Sequence, residues 1–322
     1  MDSQSTNPTA PAPRSASFTD LEFSYPLKLI VPDRKFMPGK SVECVYVLSY
    51  GGGLVAGDKC SLDVTVDGQS TLVMLTQVTC FTKSNYSQRQ TFELEDETSS
   101  LILLDWYTSG RSLTDSNQLG LKSSEATLFG RQDKDDPEGE RQAKESEGVV
   151  GSAAEGGETW SFTRYRSHNE VRTSLDVRKP LAKDVLLLID DEPNKPNFVS
   201  TSHRESTMTS YSTRVNPYSC YASIIIFGPA FDRLVQTLTN EFDKVTQYKQ
   251  NLPFSLLWSF SRLHYSVRVV VDGREQSNLI RGGIVRCCGA STEQVKEWIV
   301  DMLTKGGIED VVGRDLWKVA LT

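Results

Sequence analysis

From Ser61 to Val66 polar and apolar residues alternate, and the run is followed by Asp67-Gly68 and then by Thr71-Leu72-Val73-Met74-Leu75. A period of two places every second side chain on one face, which suits a half-buried strand and not a helix. The Asp-Gly pair between two such runs predicts a tight hairpin. The same rhythm returns along the chain. Thr91 to Glu95 alternates around Phe92 and Leu94, Thr159 to Arg166 around Trp160 and Phe162, and Val171, Thr173, Leu175 and Val177 alternate again. Leu101 to Trp106 is an apolar run that predicts a strand buried on both faces. Val185 to Ile189, Cys220 to Phe227, Tyr265 to Val271 and Ile284 to Cys287 complete a set of about a dozen short strands.

Two segments break the rhythm. Phe231, Leu234, Val235, Leu238, Phe242 and Val245 recur at helical spacing after Pro229. Ser291-Thr292-Glu293-Gln294 has the form of a capping box, followed by Val295, Trp298, Ile299, Met302 and Leu303, with Gly306 as a stop. The fold class is therefore mainly β, with two amphipathic helices in the last third.

Net charge decides what the chain does not present. At −7 over 322 residues, with a pI near 5.2, it lacks a basic nucleic-acid footprint. Its apolar runs are far shorter than the ~18 residues a membrane span needs. The opening Met1-Asp2-Ser3-Gln4 has neither a basic nor an apolar leader region. Cys44, Cys60, Cys80, Cys220, Cys287 and Cys288 form no CxxC, so reduced, mostly buried thiols are expected. Residues 1–17 carry too little apolar bulk to repay their ordering entropy and are expected to be disordered. The same holds for an acidic insertion at 112–157, which carries ten acids and five bases. It holds −5 of the −7 and leaves the remainder near neutral. The expected arrangement is one domain over 18–322, interrupted by that insertion.

Chemical motifs are few. Gly52 to Gly57 has the spacing of a phosphate loop, but Asp58 stands where that loop needs lysine, and Cys60 replaces the hydroxyl that would hold magnesium. A strand is expected after it, where a phosphate loop leads into a helix. No nucleotide site is expected. The loop reads either as a close connection between strands or as a functional element. His168, His203 and His264 are scattered, and no HExxH, CxxC or GxSxG occurs, so neither a zinc cage nor a serine hydrolase is expected. Three carboxylates lie beside apolar sequence: Asp58, Asp105 and Glu158. A buried carboxylate needs a partner or water. For Asp105, Arg111 is a candidate partner.

These pieces together resemble the urease accessory protein UreD (UreH) family. Gly51-Gly52-Gly53-Leu54-Val55-Ala56-Gly57-Asp58 is similar to its GGLVxGD signature. Leu75-Thr76-Gln77 with Thr82-Lys83-Ser84 resembles its threonine-rich strand. Leu104-Asp105-Trp106, Gly110-Arg111 and Gly157-Glu158-Thr159-Trp160 follow its order of motifs, and Gly313-Arg314-Asp315-Leu316-Trp317 resembles its closing segment. The resemblance implies a two-layered β-rich body, sandwich- or β-helix-like. It implies a non-enzymatic, cytoplasmic maturation factor that joins apo-urease to the F-type accessory protein and the UreG GTPase. Nickel in transit would pass along an internal polar path. Asp58, Asp105 and Glu158 match motif positions and are expected to line that path, with Thr76 and Lys83 behind them. The alternative is a β-sheet interaction module, or a family relic, with no metal role. The chain departs from the family pattern between Lys83 and Thr91, where a further strand pair of roughly thirty residues is expected. Its loss predicts unpaired strand edges.

Overall fold

The computed structural model describes residues 16–33, 41–49, 54–109, 160, 162–189, 215–245, 256–271 and 274–320. The insertion at 112–157 and most of residues 1–17 lie outside this set, as do Gly51, Gly52, Gly53, Gly110, Arg111, Gly157 and Glu158. The strands are β1 (Leu27–Ile30), β2 (Val42–Ser49), β3 (Leu54–Val66), β4 (Thr71–Leu94), β5 (Ser100–Thr108), β6 (Arg164–Thr173), β7 (Ala182–Ile189), β8 (Cys220–Phe227), β9 (Leu256–Val271) and β10 (Arg274–Gly289). The helices are α1 (Asp232–Asp243), α2 (Thr292–Lys305), α3 (Ile308–Val312) and α4 (Arg314–Ala320). The mainly β expectation holds, with two short helices beyond the two that the sequence marks.

Two sheets form, and β4 belongs to both. The long sheet runs β1-β2-β4-β5-β8-β10-β9. The short sheet runs β3-β4-β6-β7, with β6 and β7 antiparallel. The first half of β4 pairs in parallel with β2 and β5. Its second half pairs in parallel with β3 and β6. The chain thus crosses from the long sheet to the short one and back, in the manner of stacked rungs. Lys83, at φ 60, sits where β4 changes sheets.

This geometry overturns the hairpin expected at Asp67-Gly68. β3 does not pair antiparallel with the start of β4; Val66 pairs in parallel with Leu94, at the far end of β4, instead. The turn is a corner between sheets, stacked on the next one. Glu95 N–H donates to the Val66 carbonyl at 3.0 Å, and Ser100 N–H to the Ser70 carbonyl at 2.9 Å. Gly68 N–H donates to the Glu95 carboxylate at 2.6 Å. A Cβ at Gly68 would meet Asp96 Oδ2 at 2.4 Å, so a side chain there would have to displace that carboxylate. The unpaired edges expected between Lys83 and Thr91 are absent too, because β3 and β6 flank β4 from Asn85 to Leu94.

Alternation within the strands places the cores. On the outer face of the long sheet, Ile102, Leu104, Trp106, Ile224 and Ile226 pack under α1 and α2 with Leu238, Ile299 and Trp317. Ser291 caps α2 by accepting from Gln294 N–H at 3.2 Å. Trp317 Nε1 donates to Thr304 Oγ1 at 2.9 Å, tying α4 to α2. Arg314 stays exposed and lies 3.6 Å from Glu309. Between the two sheets lie an aliphatic cluster, including Met74, Phe92, Leu101, Leu103 and Val171, and an aromatic cluster around Tyr86, Tyr107, Trp160 and Tyr165.

Candidate functional site

The space between those two clusters is polar. In the long sheet the registers align Thr76 with Asp105, Asp105 with Ser223, and Ser223 with Arg286. One step along the strands, on the same face, the row is Tyr107, Tyr221 and Cys288; one step the other way it is Met74, Leu103, Ile225 and Ile284. With Ser259 of β9 opposite Arg286, a single polar row crosses five strands, bounded by aromatic rings on one side and aliphatic chains on the other. The short sheet answers it with Gln88 and Gln90 from β4, Ser167 and Asn169 from β6 and Asp184 from β7, all buried.

Asp105 is the centre of this belt, at 4% exposure. Thr76 Oγ1 donates to Oδ1 at 2.6 Å. Gln88 Nε2 donates to Oδ2 at 2.7 Å, with Ser167 Oγ at 3.2 Å and Asn169 Nδ2 at 3.5 Å from the same oxygen. These donors come from both halves of β4 and from β6, so the sheets are stitched together through one carboxyl group. All four are neutral. Arg111, the partner expected from sequence, lies outside the described residues. Burial raises the Asp105 pKa, and the hydrogen bonds from Thr76, Asn169, Ser167 and Gln88 offset only part of that rise.

The surroundings keep to the neutral side. Burial raises the Tyr86 and Tyr165 phenols and the Cys60 thiol, and pushes the Cys80 thiol up to about 12. Tyr86, Tyr165, Tyr107 and Tyr221 stack in sequence, with centroids 5.8, 4.7 and 5.5 Å apart. Gln90 Oε1, Asn169 Oδ1 and the Tyr165 hydroxyl are buried with no hydrogen-bond partner. Buried polar atoms are nearly always paired, so these mark places for water or a cation. Among the described residues no three His, Cys, Asp or Glu side chains gather into a metal cage.

A cavity opens at the Asp184 end of the belt, and a second lies beyond its other side without touching its polar residues. One, of about 340 Å³, is lined by Asp184, Leu186, Ser223, Ser259, Arg286 and Cys288 among others. The second, of about 400 Å³, reaches Val47 and Leu62, the register partners of Thr76 and Gln90.

Of the residues singled out from sequence, the structure brings Thr76 and Asp105 into direct contact. Asp58 is half-buried in β3 where the register with β4 shifts, and Gly57 before it takes φ +92. Lys83 does not line the interior as expected: its side chain is exposed on the far side of the β4 kink. Trp106 faces the helices rather than the belt. Trp160 closes the aromatic end; its backbone N–H donates to the Ser109 carbonyl at 2.6 Å, and its Nε1 to the Tyr218 carbonyl at 3.1 Å. His168 lies on the opposite face of β6 and meets Glu170 at 3.5 Å. Sequence reading missed Gln88, Gln90, Ser167, Asn169, Asp184, Ser223 and Arg286. A signal existed: Gln88 and Gln90 share the parity of Tyr86, Phe92 and Leu94, and Ser167 and Asn169 that of Tyr165 and Val171.

The comparisons with known proteins agree on one family. The model described as "UreD urease accessory protein" matches residues 9–79. "Urease accessory protein 4" of Cryptococcus neoformans var. grubii is 26% identical, over 91% of this chain and 87% of its own length. The "uncharacterized urease accessory protein ureD-like" of Schizosaccharomyces pombe is 27% identical over 70% of each chain. "Urease accessory protein D" of Arabidopsis thaliana is 23% identical over 90% of this chain and 91% of its own. No helix among the described residues is long and apolar enough to cross a membrane.

Proposed function

We propose that this chain is a UreD-type urease accessory protein, as its similarity to that family suggests, and a cytoplasmic maturation factor that moves nickel along the belt around Asp105 toward apo-urease. It acts as a scaffold and not as a catalyst, held between apo-urease and the F-type accessory protein with its UreG GTPase. Nickel is cargo, and no nucleotide is bound by this chain. The observation that carries the reading is Asp105, a buried carboxyl group met only by neutral donors, on a polar row that leads to a cavity lined by Asp184, Ser223 and Arg286.

The chemistry suits transit. Amide, hydroxyl and carboxyl oxygens hold a dication without the grip of a thiolate or imidazole cage. Four neutral donors around Asp105 can turn their own oxygens toward a passing ion. Asp58 and Glu158 are assigned to the same path from their motif positions. The test is co-expression with urease and the accessory partners, comparing wild type with Asp105→Asn and Glu158→Ala. The expected result is a loss of urease activation while the complex still assembles. Full activation by both variants would leave an interaction module without a metal role. Failure of the wild-type chain to capture either apo-urease or the F-type protein would overturn the scaffold reading itself.

A further inference from the structure

Asp184 is a second interior carboxylate, on an edge strand of the short sheet. Its side chain is 7% exposed. It lies opposite Asn169 in the β6–β7 register, and Asn169 reaches Asp105. Ser223, opposite Asp105 in the long sheet, donates to Asp184 Oδ2 at 3.0 Å. Two independent connections thus link Asp184 to the Asp105 belt, one through each sheet.

On the solvent side Asp184 is held by Arg286, through an ion pair between Nη2 and Oδ1. Arg286 lies between Ser223 and Ser259 in the polar row, and its side chain is 55% exposed. The pair is therefore lopsided: a fixed buried anion and a cation on a long stem that reaches in from water. Both residues line the cavity of about 340 Å³ at this end of the belt, beside Cys288 and Ser259. While the guanidinium occupies Asp184, the mouth is filled and its charge is balanced. A dication approaching it meets the positive charge first. Once the guanidinium swings out, Asp184 is an uncompensated buried carboxylate facing an open cleft, and such a group needs a cation.

We propose that this cleft is a mouth of the belt, that Asp184 is a cation-binding residue within it, and that Arg286 is the built-in counter-ion that a divalent cation displaces. The proposal rests on the nickel-transit reading for its biological sense and adds a gate to it.

The test uses the purified full chain and Ni²⁺ alone, measured by equilibrium dialysis. Arg286→Gln is expected to bind one nickel per chain at least about tenfold more tightly than wild type, since removal of the guanidinium leaves the buried Asp184 carboxylate without its counter-ion. Arg286→Lys, which keeps a cation but loses the planar fork, is expected to move the same way by less. It carries the test if the glutamine variant does not fold. In the double variant Asp184→Asn/Arg286→Gln the gain is expected to vanish. Wild-type affinity in both single variants, or a gain that survives in the double variant, would overturn the proposal. Because urease takes no part in this measurement, its outcome is separable from that of the transit reading. Tighter binding in Arg286→Gln alongside full activation by Asp105→Asn would keep the cation site and remove the path.

Discussion

On the side of β5 that faces the helices, Ile102, Leu104 and Trp106 join one continuous apolar cluster. On the side that faces the short sheet, Leu103, Asp105 and Tyr107 lead from aliphatic packing through a polar row to stacked rings. The same nine-residue strand serves both. The difference separates two tasks. The helix-side cluster has only packing to lose. The interior between the sheets gives up apolar burial to hold an acid and its donors in a fixed place. Stability is expected to depend most on the first region, and function on the second.

The largest stability effect is therefore expected on the helix side. Leu104→Ala removes a side chain at 1% exposure, from a strand that neighbours enclose on both faces. The expected cost is about 2–5 kcal/mol, read from the midpoint of chemical denaturation. Urease activation per folded molecule should hold. A selective loss of activation with little loss of stability would break the division between the two regions.

Thr76→Val comes next and probes the belt. It leaves Asp105 Oδ1 without its closest donor, a hydrogen bond of 2.6 Å, at a cost of about 1–3 kcal/mol. The pH dependence distinguishes this region from the other. The pKa of Asp105 is raised by burial in the folded state, so the folded chain holds the proton more tightly than the unfolded chain. Its contribution is thus fully present below the unfolded value and is lost as pH rises through the folded one. The stability of wild type relative to Asp105→Asn should fall as pH climbs from about 4. Paired denaturation curves across the acid range check this, and a difference that grows with pH would reverse the assignment. Leu104→Ala, in contrast, should lower stability by the same amount at every pH.

Much of this division could be read in the sequence, and the part that could not has a physical cause. Alternation and the apolar run of β5 marked the strands, and Ser291 with Gly306 marked α2. Asp105 stood out because its neighbours are apolar. Ser167 and Asn169 did not, because β6 carries charged residues on its outer face, and a strand polar on both faces looks solvated; Asp184 did not, because it stands at the border of the apolar run Val185 to Ile189, which does not show which side it faces. Parity alone separates Ser167 and Asn169 from Arg166 and His168. The pairing of β3 was also hidden. Asp67-Gly68 specifies that the chain turns, but not whether the next strand returns beside the first or crosses to another sheet. That depends on residues 28 positions apart, such as Val66 and Leu94.

Ser291→Ala offers a smaller effect on the helix side. It removes the cap acceptor for Gln294 N–H, and about 1 kcal/mol is expected, with no change in activation. A loss of activation here would mean that α2 does more than cover the long sheet.

The smallest effect is expected from Lys83→Gly, at the point where β4 passes from one region to the other. A left-handed backbone at φ 60 is costly for a residue with a Cβ and worse for a branched one. Lys83→Gly relieves that strain but adds freedom to the unfolded chain, so the two terms should nearly cancel, to within about 0.5 kcal/mol. Lys83→Val should cost about 1–2 kcal/mol, because a β-branched side chain resists this conformation. Since the lysine side chain points to solvent, Lys83→Gly should leave urease activation unchanged where Asp105→Asn abolishes it. If Lys83→Gly lowered activation at unchanged stability, the working part of the molecule would extend past the belt to the outside of the kink, and the boundary between the two regions would have to be redrawn there.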